Sequence, residues 1–176
     1  MRTRLAVLAV HALVAAGCAA PPPAPNSPSL AKETSTTGAL LPTAMVTTLA
    51  GERTELGRVI EGRVALVSFW ATWCDSCMKE QGALNRLAKR TAGRPDALVI
   101  GVAVGETPKT VDAFARTHDL AFTQVVDEEF LLADALGQRR VPATLVVDRS
   151  GRVVYRGEAL DEGSLAAFRK ALGDAL

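Results

Sequence analysis

Cys74 and Cys77, with two residues between them, stand in the stretch FWATWCDSCMKE, residues 69–80, behind a tryptophan and ahead of a charged run. Three chemistries use such a pair: a metal clip, a structural staple, or a dithiol that is oxidised and reduced in turn. A bridge over so short a loop restrains the unfolded chain little, which makes it a poor staple. A tetrahedral zinc site needs two further ligands. The histidine His11 lies in an N-terminal leader and the third cysteine, Cys18, at the leader's end is expected to be consumed by lipidation, which leaves His118 alone. No metal is expected. Redox exchange is the chemistry that remains, and a thiolate is its active form.

Neighbouring elements must place that thiolate. RVALVSFW, residues 63–70, is an unbroken apolar, β-branched and aromatic run of the kind buried on both faces of a sheet. CMKEQGALNRLAKR then carries Met78, Leu84 and Leu87 at roughly helical spacing, with Lys79, Arg86 and Lys89 among its polar positions. Cys74 therefore opens a helix that follows a central strand. The first amides of a helix lack internal partners and its dipole favours negative charge, so a thiol there ionises more readily. Cys77 falls one turn on, on the same face. The arrangement predicts Cys74 as the nucleophile. Cys77 is predicted as the resolving thiol, which attacks the mixed disulfide on Cys74 and releases product.

The remaining segments alternate in type. MVTTLAGERTEL reads as a hairpin turning at Gly51, and ALVIGVAV, residues 97–104, as a second buried strand. Thr107 caps a helix with Pro108 in its first turn, running to about His118, whose ordinary role is a surface cation at a helix end. FTQVV is extended, a short helix covers residues 130–136, and ATLVVDRSGRVVYRG is a hairpin turning at residues 150–151. Asp161 caps a last helix. The fold class implied is α/β.

FWATWCDSCMKE, the preceding LAGERTELGRVIEGRVALVSF and the later VPATLVVDRSGRVVYRG together resemble the thioredoxin-like thiol–disulfide reductases of the bacterial envelope, the TlpA/ResA type. The resemblance covers residues 41–176. It implies a thioredoxin-like fold, a central mixed β-sheet flanked by helices, with an N-terminal β-hairpin extension. It further implies that Pro142 is cis and faces the dithiol, and that the Val141 backbone pairs with the substrate chain beside Trp73. The glutamate three residues beyond the second cysteine is Glu80, which the resemblance offers as the shuttle for the Cys77 proton. A glutamate in a first helical turn also has the plainer role of complementing the dipole. Three positions depart from the pattern. Ser68 replaces the aspartate of cytoplasmic-type thioredoxins, Gly82 a helix-kinking proline, and Ala143 the usual threonine after the cis-proline.

The implied activity is reduction of disulfides in envelope proteins such as apocytochromes c, without a cofactor, with re-reduction by a membrane electron donor. A reductant is expected from the resemblance and from the lack of a histidine between the cysteines, and Asp75, a negative charge beside Cys74 that opposes the thiolate and favours the disulfide, tunes the poise in the same direction. Arg139 and Arg140 would offset it if their side chains turned toward the sulfur. Two rivals stand beside this reading. A copper metallochaperone of similar fold spaces its cysteines by three and needs a distant histidine. A thiol peroxidase surrounds its cysteine with threonine and proline, absent before Cys74.

At the N-terminus, MRTRLAVLAVHALVAAGC pairs a short basic start with an apolar run, residues 5–16, too short to span a bilayer and suited to a signal peptide. Its end, AAGC, resembles a bacterial lipobox, with lipidation expected at Cys18 after removal of residues 1–17. Ala15 departs from the usual leucine, so secretion without a lipid is the alternative. Residues 18–40 are rich in proline, serine and threonine and read as a tether, with the folded domain at residues 41–176. Losing the leader removes Arg2 and Arg4 and no acid, moving the formal charge from +1 to −1. No basic surplus points to nucleic acid. The expected product is a monomer, lipid-anchored in a bacterial cell envelope and facing the periplasm or exterior.

Overall fold

A computed structural model of the chain describes residues 37–173; Cys18, the leader and most of the tether lie outside them. β1 (Met45–Thr48) and β2 (Arg53–Glu55) form the expected antiparallel hairpin. Gly51 makes its turn with φ 87°, a conformation that glycine adopts without steric cost. One helical turn that the sequence did not suggest, α1 (Leu56–Val59), follows and buries Leu56. β3 (Val64–Trp70) is buried at every residue, as its unbroken apolar run requires. Then come α2 (Asp75–Thr91), β4 (Ala97–Val104), α3 (Pro108–Thr117), β5 (Thr123–Asp127) and α4 (Leu131–Ala135). β6 (Ala143–Val147) and β7 (Val153–Gly157) form the second hairpin, and α5 (Glu162–Ala171) is the last helix.

The strands make one mixed sheet in the order β2-β1-β5-β4-β3-β6-β7. β3, β4 and β5 are parallel, joined through α2 and α3; the remaining pairings are antiparallel. The N-terminal hairpin is continuous with this sheet, because β1 pairs with β5, Thr47 opposite Val126. Alternate residues of β3 serve opposite layers. Val64 and Leu66 pack with Leu84 and Leu87 of α2 and Phe168 of α5. Ala65, Val67 and Phe69 pack with Leu56 of α1, Leu132 of α4 and Leu136, the residue that caps the end of α4. The thioredoxin-like architecture is the one expected.

Two helix caps follow the sequence. Thr107 accepts from the Thr110 amide at 3.3 Å, and Asp161 forms a reciprocal capping box with Ser164. At the end of β3 the buried Trp70 indole donates to Gln124 Oε1 at 3.1 Å and packs, tilted, on Phe114 of α3 with centroids 5.3 Å apart. Gly101 of β4 makes that crossing possible. A Cβ there would lie 2.7 Å from Trp70 Nε1 and 2.5 Å from Gln124 Oε1. The fixed indole anchors the loop that begins one residue later and leads to Cys74.

Candidate active site

Cys74 is the N-cap of α2. Its backbone is extended, φ −94° and ψ 99°, and its sulfur accepts from the Cys77 amide at 3.2 Å. Ser76 Oγ lies 3.3 Å from the same sulfur. Cys74 and Cys77 are joined as a disulfide, Cα–Cα 5.3 Å. Cys74 is the more exposed, 6% against 1% for Cys77. A helix N-terminus aimed at one sulfur is the environment that favours its thiolate when the bridge is open.

The loop at residues 71–73 is held from two sides. The Cys74 amide donates to Ala71 O at 3.1 Å. Thr72 donates both its amide, at 3.0 Å, and its hydroxyl to Glu106 Oε1. Glu106, on the connection from β4 to α3, was not among the expected site residues. It lies 34 residues away in sequence, and no local pattern links the two. The clamp leaves Trp73 projecting, 66% exposed.

The Val141–Pro142 bond is cis, as expected. Ala143 pairs with Phe69, so Pro142 lies level with Trp70, at the end of the sheet from which the Cys74 loop departs. Trp73 and Val141 line a common groove of about 320 Å³, together with Val104, Phe130 and Ala133. Phe130 caps α4 in a left-handed conformation, φ 59°, and lays its ring over Gly105 while remaining 46% exposed. Such a backbone is uncommon for a bulky residue and costs energy, and such strain often gathers at functional sites. Arg139 and Arg140 lie on the groove's rim, and Arg139 reaches Asp134 at 3.7 Å.

Glu80 lies on α2 one turn beyond Cys77, and its Oε2 is buried without a hydrogen-bond partner. Burial pushes its carboxyl pKa up, the Leu160 backbone amide offsets part of the rise, and the Asp161 carboxylate adds to it. Gln81, the next residue, was also missed by the sequence reading; both polar atoms of its amide are buried and unpaired. His118 caps α3 and stacks on Phe114 at 4.0 Å. Among the described residues no group of three His, Cys, Asp or Glu side chains is placed to hold a metal ion.

A cysteine pair capping the helix after the central strand, with a cis-proline at the same sheet end, makes the chain a thioredoxin-like thiol–disulfide oxidoreductase by class. It belongs to the AhpC/TSA family, which matches residues 37–156. Over 115 residues, 65% of its length, it is 33% identical to the thioredoxin-like protein YneN of Bacillus subtilis, spanning 66% of that protein. It is 28% identical over 125 residues to the thiol–disulfide oxidoreductase ResA of Bacillus cereus, 71% of each chain. A secreted thiol–disulfide isomerase from Corynebacterium glutamicum shares the fold at TM-score 0.64 and 23% identity, over 76% of this chain and 85% of that one.

Proposed function

We propose that the chain is a lipid-tethered reductase of the bacterial envelope that transfers two electrons from its dithiol to disulfides of envelope proteins, apocytochromes c among them. The observation that carries this is the Cys74 sulfur at the head of α2, receiving the Cys77 amide. In the reduced protein the Cys74 thiolate attacks one substrate sulfur. The substrate S–S bond breaks, a mixed disulfide forms, and the first substrate thiolate leaves. Cys77 then gives its proton to Glu80 and attacks Cys74, closing the protein disulfide and expelling the second substrate thiolate. Two electrons and two protons have moved to the substrate. Two electrons from a reduced dithiol of a membrane donor, with two protons, restore the pair.

Trp73, the Val141 backbone and Pro142 form the substrate contact in this reading. An extended segment along residues 140–142 would sit beside the groove that Trp73 and Val141 share. Removal of residues 1–17 and lipidation of Cys18 would leave residues 18–40 as the tether. The anchor in this reading is the lipid on Cys18, which rests on the AAGC motif; among the described residues no helix is long and apolar enough to cross a membrane.

Cys77→Ser expressed in the native envelope tests the reading. It should accumulate mixed disulfides on Cys74 that reducing agent releases. A variant that traps nothing, from a wild type that still reduces insulin, would reject envelope proteins as substrates. Fatty-acid labelling of the wild type, lost in Cys18→Ala, checks the tether; equal labelling of both would rule it out.

A further inference from the structure

Gln81 is 8% exposed, and neither atom of its amide has a partner among the described residues. A buried amide left unpaired is destabilising, so a helix that carries one in its core-facing stripe requires a reason. That stripe comprises Cys77, Gln81, Leu84, Leu87, Ala88 and Thr91. Residues four apart on a helix are neighbours and side chains lean back toward its N-terminus, which inclines Gln81 toward Cys77.

The sheet also buries polar groups. Ser68 of β3 and Thr144 of β6 are cross-strand partners, both buried, and the Thr144 hydroxyl is likewise unpaired. Strand alternation puts them on the side of Val64, Leu66 and Val146, which pack with Leu84 and Leu87 of α2. Gln81 is thus a buried, unpaired polar group on α2, one helical turn beyond the resolving cysteine. In the structure Cys77 is oxidised, and its sulfur is bonded and uncharged.

We propose that the missing partner of Gln81 is the Cys77 sulfur of the reduced protein, to which Nε2 donates a hydrogen bond. The proposal rests on the dithiol exchange described above. When Cys77 gives its proton to Glu80, the Gln81 amide stabilises the resulting thiolate. That thiolate attacks Cys74 Sγ; the Cys74–Cys77 bond forms, the bond from Cys74 to the substrate sulfur breaks, and the electron pair leaves on the substrate, which takes the proton. The hydrogen bond forms to the Cys77 sulfur in the reduced protein, is strongest while Cys77 is anionic and is lost once the disulfide closes. The Cys77 amide already serves Cys74, so this side chain supplies to the second sulfur what the helix terminus supplies to the first.

Gln81→Met keeps the length of the side chain and removes both polar atoms. In a Cys74→Ser background it should slow iodoacetamide alkylation of Cys77 at neutral pH roughly tenfold, the scale of a hydrogen bond to an ionised group. With both cysteines present, the equilibrium constant with glutathione should move toward the disulfide by a few-fold and at most about tenfold, which is about 30 mV. Thermal stability should hold or rise, because an unpaired buried amide has gone. If alkylation and equilibrium both stay put, as for an amide satisfied by buried water, the proposal is overturned. One measurement needs no substitution. The side-chain amide NMR signal of Gln81 should shift when the wild type is reduced with dithiothreitol, and a signal that does not move would contradict the proposal equally. A wild type that fails to equilibrate with glutathione would overturn the exchange reading itself, and the proposal with it.

Discussion

Ionising Glu80 in the folded chain leaves its carboxylate half out of water, with Asp161 of like sign facing it. Its pKa is raised above the ordinary 4.5, so the folded state holds the proton more tightly than the unfolded one. That preference contributes stability fully below pH 4.5 and is lost as pH rises through the folded value. Glu80→Gln should therefore raise Tm relative to wild type more at pH 8 than at pH 4, where each kcal/mol is about 2–4 °C. It should also shift the pH profile of exchange if Glu80 takes the Cys77 proton; an unchanged profile would leave it a helix-dipole residue. Glu106 acts through Thr72. Glu106→Ala should slow insulin reduction several-fold by freeing the loop before Cys74, and Glu106→Gln, which keeps an acceptor, should recover most of it. Equal loss in both variants would argue against a hydrogen-bonding role. Cys74, Cys77 and the cis bond before Pro142 were legible because a short motif carries them. Glu106 and Gln81 were not, because their meaning depends on partners that only the fold supplies.

Elements were legible where a cap or a period announced them. β3, β4, the Thr107 cap of α3 and the Asp161 cap of α5 all fall where the residues suggested. α1 was missed, since a single turn has too few residues for a helical period. The pairing of β1 with β5 was missed too, because register between distant strands is not written locally. α4 owes its start to a residue outside the helix. Asp127, buried at the end of β5, accepts the Leu132 amide at 3.3 Å and the Ala133 amide at 2.8 Å. Burial pushes its carboxyl up, against the pull of these amides and that of Leu131, and Asp134 pushes it further. Asp127→Ala should lower stability by about 1–3 kcal/mol in urea unfolding, through the lost cap and two stranded amides. Asp127→Asn, with one acceptor kept, should lose less. Because α4 contributes Ala133 to the groove beside Trp73, the alanine variant should also weaken peptide-disulfide reduction.

Across the molecule, the buried indole of Trp70 ties the sheet to the reactive loop, and Gly101 is the position that permits it. Gly101→Ala would force a Cβ against three buried side chains and should cost about 1–3 kcal/mol, read from the urea midpoint. An unchanged midpoint would mean that the indole can move aside without loss.

The direction of electron flow is a property of the whole assembly of charges around Cys74. Asp75 stands exposed in the first turn, and neither residue between the cysteines is basic. Ser76 and the Cys77 amide favour the thiolate, and Asp75 opposes it. Arg139 and Arg140 are both exposed on the groove rim. Charges this exposed are screened and tune the balance modestly. The reductant reading is tested most directly by equilibrating the full-length protein with glutathione redox buffers and quantifying the Cys74–Cys77 disulfide. A potential below about −200 mV, on the reducing side of protein disulfide isomerase, is the result expected. A value near −120 mV, typical of a strong oxidant, would contradict it.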